Sequence, residues 1–152
     1  MQVKRIGLVA HDGQKRNLTE WVEWNREVLT KYDLVCTGTT GKIIKDALSK
    51  CVEKEYFDEH FTILKSGPLG GDQQLGSMIV NGDIQLLIFF WDPMESQPHD
   101  VDVKALLRIT TMYNVPAACN RSTADFLISS PLLKEEYECK QEDFSAYIHR
   151  NI

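Results

Sequence analysis

The chain has 152 residues, of which 43% are hydrophobic and 26% charged, with a formal net charge of −5. A chain of this length suits one domain, residues 1–152, and is able to bury about two-thirds of the surface its extended form exposes. The acidic balance, without any Lys/Arg cluster, argues against a nucleic-acid partner, and the longest apolar run, "LLIFFW" at 86–91, is too short to cross a membrane.

Apolar runs alternate with stretches of helical period. "IGLVA" (6–10) reads as a buried strand. Leu18, Trp21, Val22, Asn25, Val28 and Leu29 follow with the spacing of one amphipathic helix. "DLVCT" (33–37) is a second strand, and "GTTGKIIKDALSKC" turns into a helix with Ile44, Ala47, Leu48 and Cys51 inward. Residues 52–61 carry no decisive pattern, whereas "FTILK" (61–65) reads as a strand. A short helix is expected over 74–81, ending at "NG". "IQLLIFFW" (84–91) is apolar on both faces, as the centre of a parallel sheet requires. Val103, Leu106, Leu107, Thr110 and Tyr113 line one side of the next helix, with Asp100 as its N-cap. "VPAAC" (115–119) is a short strand whose early proline belongs at a strand start or sheet edge. Ser122 and Asp125 have capping-box spacing before "FLISS", and the tail (134–150) is charged, then weakly helical.

This alternation predicts an α/β fold, a three-layer sandwich around a mostly parallel five-stranded sheet. Right-handed crossovers bring the C-terminal strand ends to one edge, where ligands of open α/β sheets bind. Five polar segments fall there: "HDGQK", "TGTTGK", "SGPLGGD", "WDPMESQPHDVD" and "NRSTAD".

Each segment has a bland reading beside a chemical one. In "TGTTGK" (37–42), amides and threonine hydroxyls at a helix start make a phosphate cradle. Thr39 or Thr40 would equally serve as a plain helix cap. Walker A and GxGxxG spacings are both absent. In "HDGQK", His11 and Asp12 face the sheet edge and Lys15 reaches an anion as a point charge, unless the segment is only a turn. In "SGPLGGD", Asp72 is either the cap of a short helix or a base beside bare amides. Gly67, Gly70 and Gly71 exceed what a cap needs. His99 precedes a helix start, a position suited to a neutral imidazole that donates to a carbonyl. With Asp92, Asp100, Asp102 and His11 it also makes a conceivable metal site, although no ligand spacing singles one out. His60 and His149 read as solvated or satisfied by ordinary contacts, and Trp21, Trp24 and Trp91 as core or interface. Cys36, Cys51, Cys119 and Cys139 form no CxxC pair and read as reduced thiols of a cytoplasmic protein. The opening "MQVKRIGLVAHDGQ" turns polar too early for a secretory h-region. No GxSxG nucleophile motif is present.

Phosphate donors, a carboxylate base and a neutral imidazole suit a small phosphorylated carbonyl compound. Such a set abstracts a proton next to the carbonyl and stabilises the enediolate. The residues alone leave isomerisation, elimination and mere sensing open. Taken in order, "VAHDGQK", "TGTTG", "SGPLGGDQQ", "FFWDP", "PHDVDVKALLR" and "NRSTADFLI" resemble the methylglyoxal synthases of bacteria, from about residue 5 to 131. The resemblance implies a homohexameric lyase that converts dihydroxyacetone phosphate into methylglyoxal and inorganic phosphate without cofactor or metal. It also implies a compact fold shared with regulatory domains of carbamoyl-phosphate synthetase. By the same resemblance Asp72 is the catalytic base, His99 polarises the carbonyl and moves protons, and Asp102 assists that relay. His11, Asp12 and Asp92 fall on active-site positions, and Lys15, Thr37, Thr39, Thr40, Ser66 and Gly67 on the phosphate-binding set. The family's C-terminal arginine, which reaches the phosphate of a neighbouring subunit, falls nearest Arg150. A phosphate-responsive regulatory module of the same fold is the rival reading. It does not need Asp72, His99 and Asp102 at one edge.

Overall fold

The computed structural model describes residues 4–96 and 98–151. In chain order it runs β1 (Arg5–Ala10), α1 (Lys15–Trp24), α2 (Arg26–Leu29), β2 (Asp33–Cys36), α3 (Gly38–Leu48), α4 (Lys54–Glu59) and β3 (Phe61–Ile63). There follow α5 (Gly71–Val80), β4 (Leu86–Phe90), α6 (Asp100–Met112), β5 (Ala117–Ala118), α7 (Arg121–Ser129) and α8 (Ser145–Ile148). The five strands form one sheet in the order β3-β2-β1-β4-β5, and every pair is parallel.

The period of two along the strands divides the core. Ile6, Leu8, Leu34, Leu86, Ile88 and Phe90 pack with Leu18, Trp21, Ile44, Leu48, Ala124 and Ile128 of α1, α3 and α7. Val9, Val35, Leu87 and Phe89 face the other way, onto Leu75 and Ile79 of α5 and Val103 and Leu106 of α6. The result is a three-layer sandwich. Each wholly buried Leu, Ile or Phe contributes about 1.5–3 kcal/mol relative to leaving it exposed, so the double-faced β4 is the strongest single contributor.

Several local expectations are corrected, each for a visible reason. The helix expected through 18–29 breaks at Asn25, whose side-chain amide donates to the Trp21 carbonyl at 2.9 Å and so competes with continued helix. Residues 54–59 form α4, where the sequence showed no pattern. The helix placed at 74–81 starts at Gly71. The strands are shorter than the apolar runs. Ile84 and Gln85 precede β4, and the Gln85 side chain accepts from the Lys4 and Arg5 amides at 3.0 and 2.9 Å. Cys51 lies beyond the end of α3 and is exposed. The N-cap of α6 is His99, with Asp100 one residue inside. The N-cap of α7 is Asn120, whose Oδ1 accepts from the Thr123 amide at 2.9 Å, and not Ser122. Asp125 instead accepts from Trp21 Nε1 at 2.8 Å, tying α7 to α1. Of the tryptophans, Trp21 is core, Trp91 is part-exposed and Trp24 is 84% exposed. No helix among the described residues is long and apolar enough to cross a membrane.

Candidate active site

β1 is the switch point of the sheet: β2 and β3 lie to one side of it, β4 and β5 to the other. At its C-terminal end opens a cleft of about 220 Å³. The loops after β1, β2, β3 and β4 all contribute to its walls, and the segment after β5 does not. Ten of the residues singled out in the sequence line it: His11, Asp12, Lys15, Thr37 and Thr39, with Thr40, Ser66, Gly67, Asp72 and His99.

One end of the cleft is built for an anion. Thr37 is the N-cap of α3, yet neither it nor any other side chain caps the helix. The first intrahelical bond runs from Gly41 N to Thr37 O at 2.8 Å. The amides of Thr39 and Thr40 therefore lack intrahelical acceptors, as helix starts require, and lie at the positive end of the helix dipole. The Thr40 hydroxyl donates to the Ala10 carbonyl at 3.3 Å, which pins α3 to β1. Plain capping by Thr39 or Thr40 is not what the loop does. Lys15, at the start of α1, adds an ammonium held by the Asp12 carboxylate. That pairing keeps the Asp12 carboxyl below the usual carboxylate range, first through the hydrogen bond and then through charge.

The glycine-rich segment after β3 owes its composition to close backbone approach. Gly38 N donates to Lys65 O at 3.1 Å and Gly71 N to Ser66 O at 2.9 Å. A β-carbon at Gly71 would lie 2.0 Å from Lys65 O, and one at Gly38 would lie 2.6 Å from Ser66 N. Gly70, with φ of 102°, makes the left-handed turn that starts α5. The segment thus locks Ser66 against α3 and aims the first turn of α5 into the cleft.

Asp72 stands in that first turn. Gly70, not Asp72, is the N-cap, and no side chain caps α5. The Asp72 side chain is only 2% exposed and neither of its oxygens has a hydrogen-bond partner. Burial pushes its pKa up; the nearby His99 opposes this and Asp102 adds to it. A buried carboxylate without a partner is costly, and its raised basicity is what proton abstraction from carbon needs. His99 Nε2 lies 3.7 Å from Asp72 Oδ2, and His99 Nδ1 is buried without a partner. The His99 carbonyl accepts from the Asp102 and Val103 amides at 2.9 and 3.2 Å, which fixes its backbone at the start of α6. Gly67 borders the gap between the two groups. A β-carbon there would lie 2.8 Å from His99 Nε2 and 3.4 Å from Asp72 Oδ1.

His11, just past β1, is 5% exposed. The Asp92 amide donates to its Nδ1 at 3.1 Å, while its Nε2 is buried and unpartnered. Its ring stands perpendicular to that of His99, centroids 5.8 Å apart. Burial, then the neighbouring His99, lowers the His11 pKa against the opposing pull of Asp100, Asp92 and Asp12.

Three singled-out residues do not line the cleft. Asp92 is buried behind His11, its Oδ1 accepting from the Met94 amide at 3.0 Å. Asp102 sits in the first turn of α6 and acts on Asp72 through its charge. Arg150 stacks on Tyr147, 3.7 Å from the ring centroid, in the exposed tail. Sequence reading missed Pro68, Val9 and Ala10, which do line the cleft. Pro68 stands in the glycine-rich segment and was signalled only by "SGP"; the other two read as strand core. Among the described residues no group of three His, Cys, Asp or Glu side chains is placed to hold a metal. A larger hollow of about 670 Å³ opens at the other sheet edge. Its walls are mainly aliphatic, among them Ile84, Leu86, Val115 and Leu133, and it holds no carboxylate–imidazole pair.

Comparison with known proteins agrees with this geometry. The model of the MGS-like domain matches residues 17–119. The methylglyoxal synthase of Maridesulfovibrio salexigens is 52% identical over 156 residues, covering 99% of each chain. That of Clostridium acetobutylicum is 51% identical, covering 97% of this chain and 96% of its own. The crystal structure of methylglyoxal synthase from Elizabethkingia anophelis superposes with a TM-score of 0.88 at 50% identity, covering 99% of this chain and 93% of that one. The chain, with its buried carboxylate and paired imidazoles at the C-terminal edge of a parallel sheet, belongs to the methylglyoxal synthase family.

Proposed function

We propose that the protein is a carbon–oxygen lyase that converts dihydroxyacetone phosphate into methylglyoxal and inorganic phosphate. The observation that carries this reading is the buried, unpartnered Asp72 carboxylate facing a cleft whose far end is lined by free amides and a lysine. The whole chain acts as one catalytic domain.

Lys15, the Thr39 and Thr40 amides, the Thr37 and Ser66 hydroxyls and the Gly67 amide hold the phosphate. Asp72 takes a proton from the hydroxymethyl carbon next to the ketone, and the electron pair moves onto the carbonyl oxygen. His99 polarises that oxygen and passes protons between the two oxygens of the enediolate, with Asp102 assisting. When the bridging C–O bond stands roughly perpendicular to the enediolate plane, its antibonding orbital overlaps the electron-rich system. Collapse then breaks that bond and phosphate leaves with the pair. The remaining enol gains a proton at carbon and ketonises to methylglyoxal. The cradle sets the angle, an effect of orientation rather than of tighter binding. These steps need only side-chain acid–base chemistry, so the reading calls for no cofactor or metal. Asp92 serves from behind His11. The active form is a cytoplasmic homohexamer in which Arg150 reaches the phosphate of a neighbouring subunit.

The test is direct. Purified protein is incubated with dihydroxyacetone phosphate in the presence of a chelator, and both products are measured together. Equal release of methylglyoxal and phosphate is expected. Formation of glyceraldehyde 3-phosphate without phosphate release would instead mark an isomerase, and no turnover at all would leave only an anion-binding module.

A further inference from the structure

We infer that the N-terminal edge of the sheet carries a second ligand site, a basic hollow that takes a small anion bearing two or more phosphate groups. It stands at the opposite strand ends from the catalytic cleft and does not depend on the lyase reading. The hollow measures about 490 Å³ and is bordered by three ammonium groups: Lys4 just before β1, Lys31 just after α2, and Lys134 beyond α7. Asp33, the one carboxylate bordering it among the described residues, is already engaged. Arg5 Nε donates to its Oδ2 at 3.4 Å, and His60 Nδ1 lies 2.7 Å from its Oδ1.

The positive charge is left uncompensated. Among the described residues no acidic side chain pairs with Lys4, Lys31 or Lys134. This holds in a chain of net charge −5, with Glu27 four residues before Lys31 and Glu135 beside Lys134. Helix dipoles do not account for the placement. The helix before Lys31 has four residues, the turn before Lys134 has three, and Lys4 precedes a strand.

Hydrogen bonds hold the three lysine-bearing segments in place. The Lys4 amide donates to Gln85 Oε1 at 3.0 Å, and its carbonyl accepts from the Asp33 amide at 2.8 Å. The Tyr32 hydroxyl donates to the Leu133 carbonyl at 3.3 Å, which staples the segment of Lys134 to that of Lys31. The Tyr56 hydroxyl in turn donates to the Tyr32 carbonyl at 2.8 Å. The backbones are thus set before a ligand arrives, and the ends of the lysine side chains are what remains to be ordered.

Size and charge select the ligand class. The catalytic cleft measures about 220 Å³ and this hollow about 490 Å³, so it has room for more than a triose phosphate. One exposed ion pair is worth little. Three compact point charges from separate segments suit an anion whose own charge is spread over several groups. A concave hollow in an acidic chain favours a small molecule over a nucleic acid. The six residues of β1 span about 20 Å, so a ligand held here touches neither Asp72 nor His99.

Inorganic tripolyphosphate is the probe. The full chain is titrated by calorimetry at low salt, with inorganic phosphate present to fill the cleft. Binding is expected, and it should weaken as salt rises, because exposed charges are screened. Lys31→Glu/Lys134→Glu should weaken it at least about tenfold, since each reversal replaces attraction by repulsion. Lys104→Glu/Lys140→Glu makes the same change in net charge outside the hollow and should stay within about twofold of the parent. All four lysines are exposed, so Tm should not change in either variant. Binding left intact by Lys31→Glu/Lys134→Glu, equal weakening in the two double variants, or no binding to the parent chain would each overturn the second site.

Discussion

Nε2 of His99 lies 3.7 Å from Oδ2 of Asp72, and the missing side chain of Gly67 leaves space at that pair. The base and the imidazole thus share one gap, bordered by a residue that can take no larger side chain without displacing them. A reacting carbon and its oxygen fit there only while Gly67 remains glycine.

Gly67→Ala tests this directly. The added methyl would sit 2.8 Å from His99 Nε2, so the ring must shift. A displacement of about 1 Å costs on the order of 10²-fold in rate. The expected result is a fall of that size in kcat, with inhibition by inorganic phosphate changed about twofold at most, because residue 67 keeps its N–H. Equal loss of both would show that the substitution disturbs the cradle instead.

Asp72→Asn removes the base while preserving shape. We expect kcat to drop by at least about 10²-fold, the lower end of what acid–base catalysis supplies. Calorimetric titration with inorganic phosphate should still show binding. Near-normal turnover would remove Asp72 from the role of base.

The same variant carries a stability signature whose sign follows from burial. The pKa of Asp72 is raised in the folded chain, so the native state binds that proton more tightly than the unfolded state. Its contribution to stability is present below the unfolded value and lost as pH rises through the folded one. Ionised Asp72 therefore weakens the fold at neutral pH. Asp72→Asn should raise Tm at pH 7, and the gain should shrink as pH falls through the raised folded value and be gone below the ordinary aspartate value of about 3.9. The acid limb of kcat should likewise lie above that value. A gain that persists undiminished in acid would show a cause other than charge burial.

The helix caps offer a test independent of activity. Asn120→Ala should cost about 1 kcal/mol in denaturant unfolding, because Asn120 Oδ1 holds the Thr123 amide. Asp125→Ala should cost about 1–3 kcal/mol by leaving the Trp21 indole N–H without its acceptor. Ser122→Ala should stay within about 0.5 kcal/mol. The opposite ranking would restore the capping box at Ser122 and Asp125.

Much of this was legible in the residues, and for identifiable reasons. The sandwich followed from period: "LLIFF" is apolar on both faces, and the helices at α1, α5 and α6 carry one apolar side each. The cleft followed from where polar residues interrupt that period, since His11, Thr37 and Ser66 stand just past strand ends and His99 at the start of the helix that follows β4. Side-chain hydrogen bonds chosen by tertiary neighbours were not legible. "NRSTAD" read as a capping box at Ser122 and Asp125, whereas Asn120 caps the helix and the distant Trp21 indole draws Asp125 away. Asn25 fits the apolar stripe by number, yet its amide turns back on the helix. Asp92 matched by motif and lies behind the histidine it orients, a relation made by a backbone amide and so invisible in residue type. The strand-end residues Val9 and Ala10 carried no chemical signal at all, and Pro68 only its place in "SGP".

The backbones of Gly38 and Ser66 touch so closely that not even a methyl would fit between them. Two loops are thereby fused into one rigid jaw. Such a jaw grasps a spent anion as firmly as a fresh one, so inorganic phosphate should restrain the enzyme by lingering in the place it has just been made.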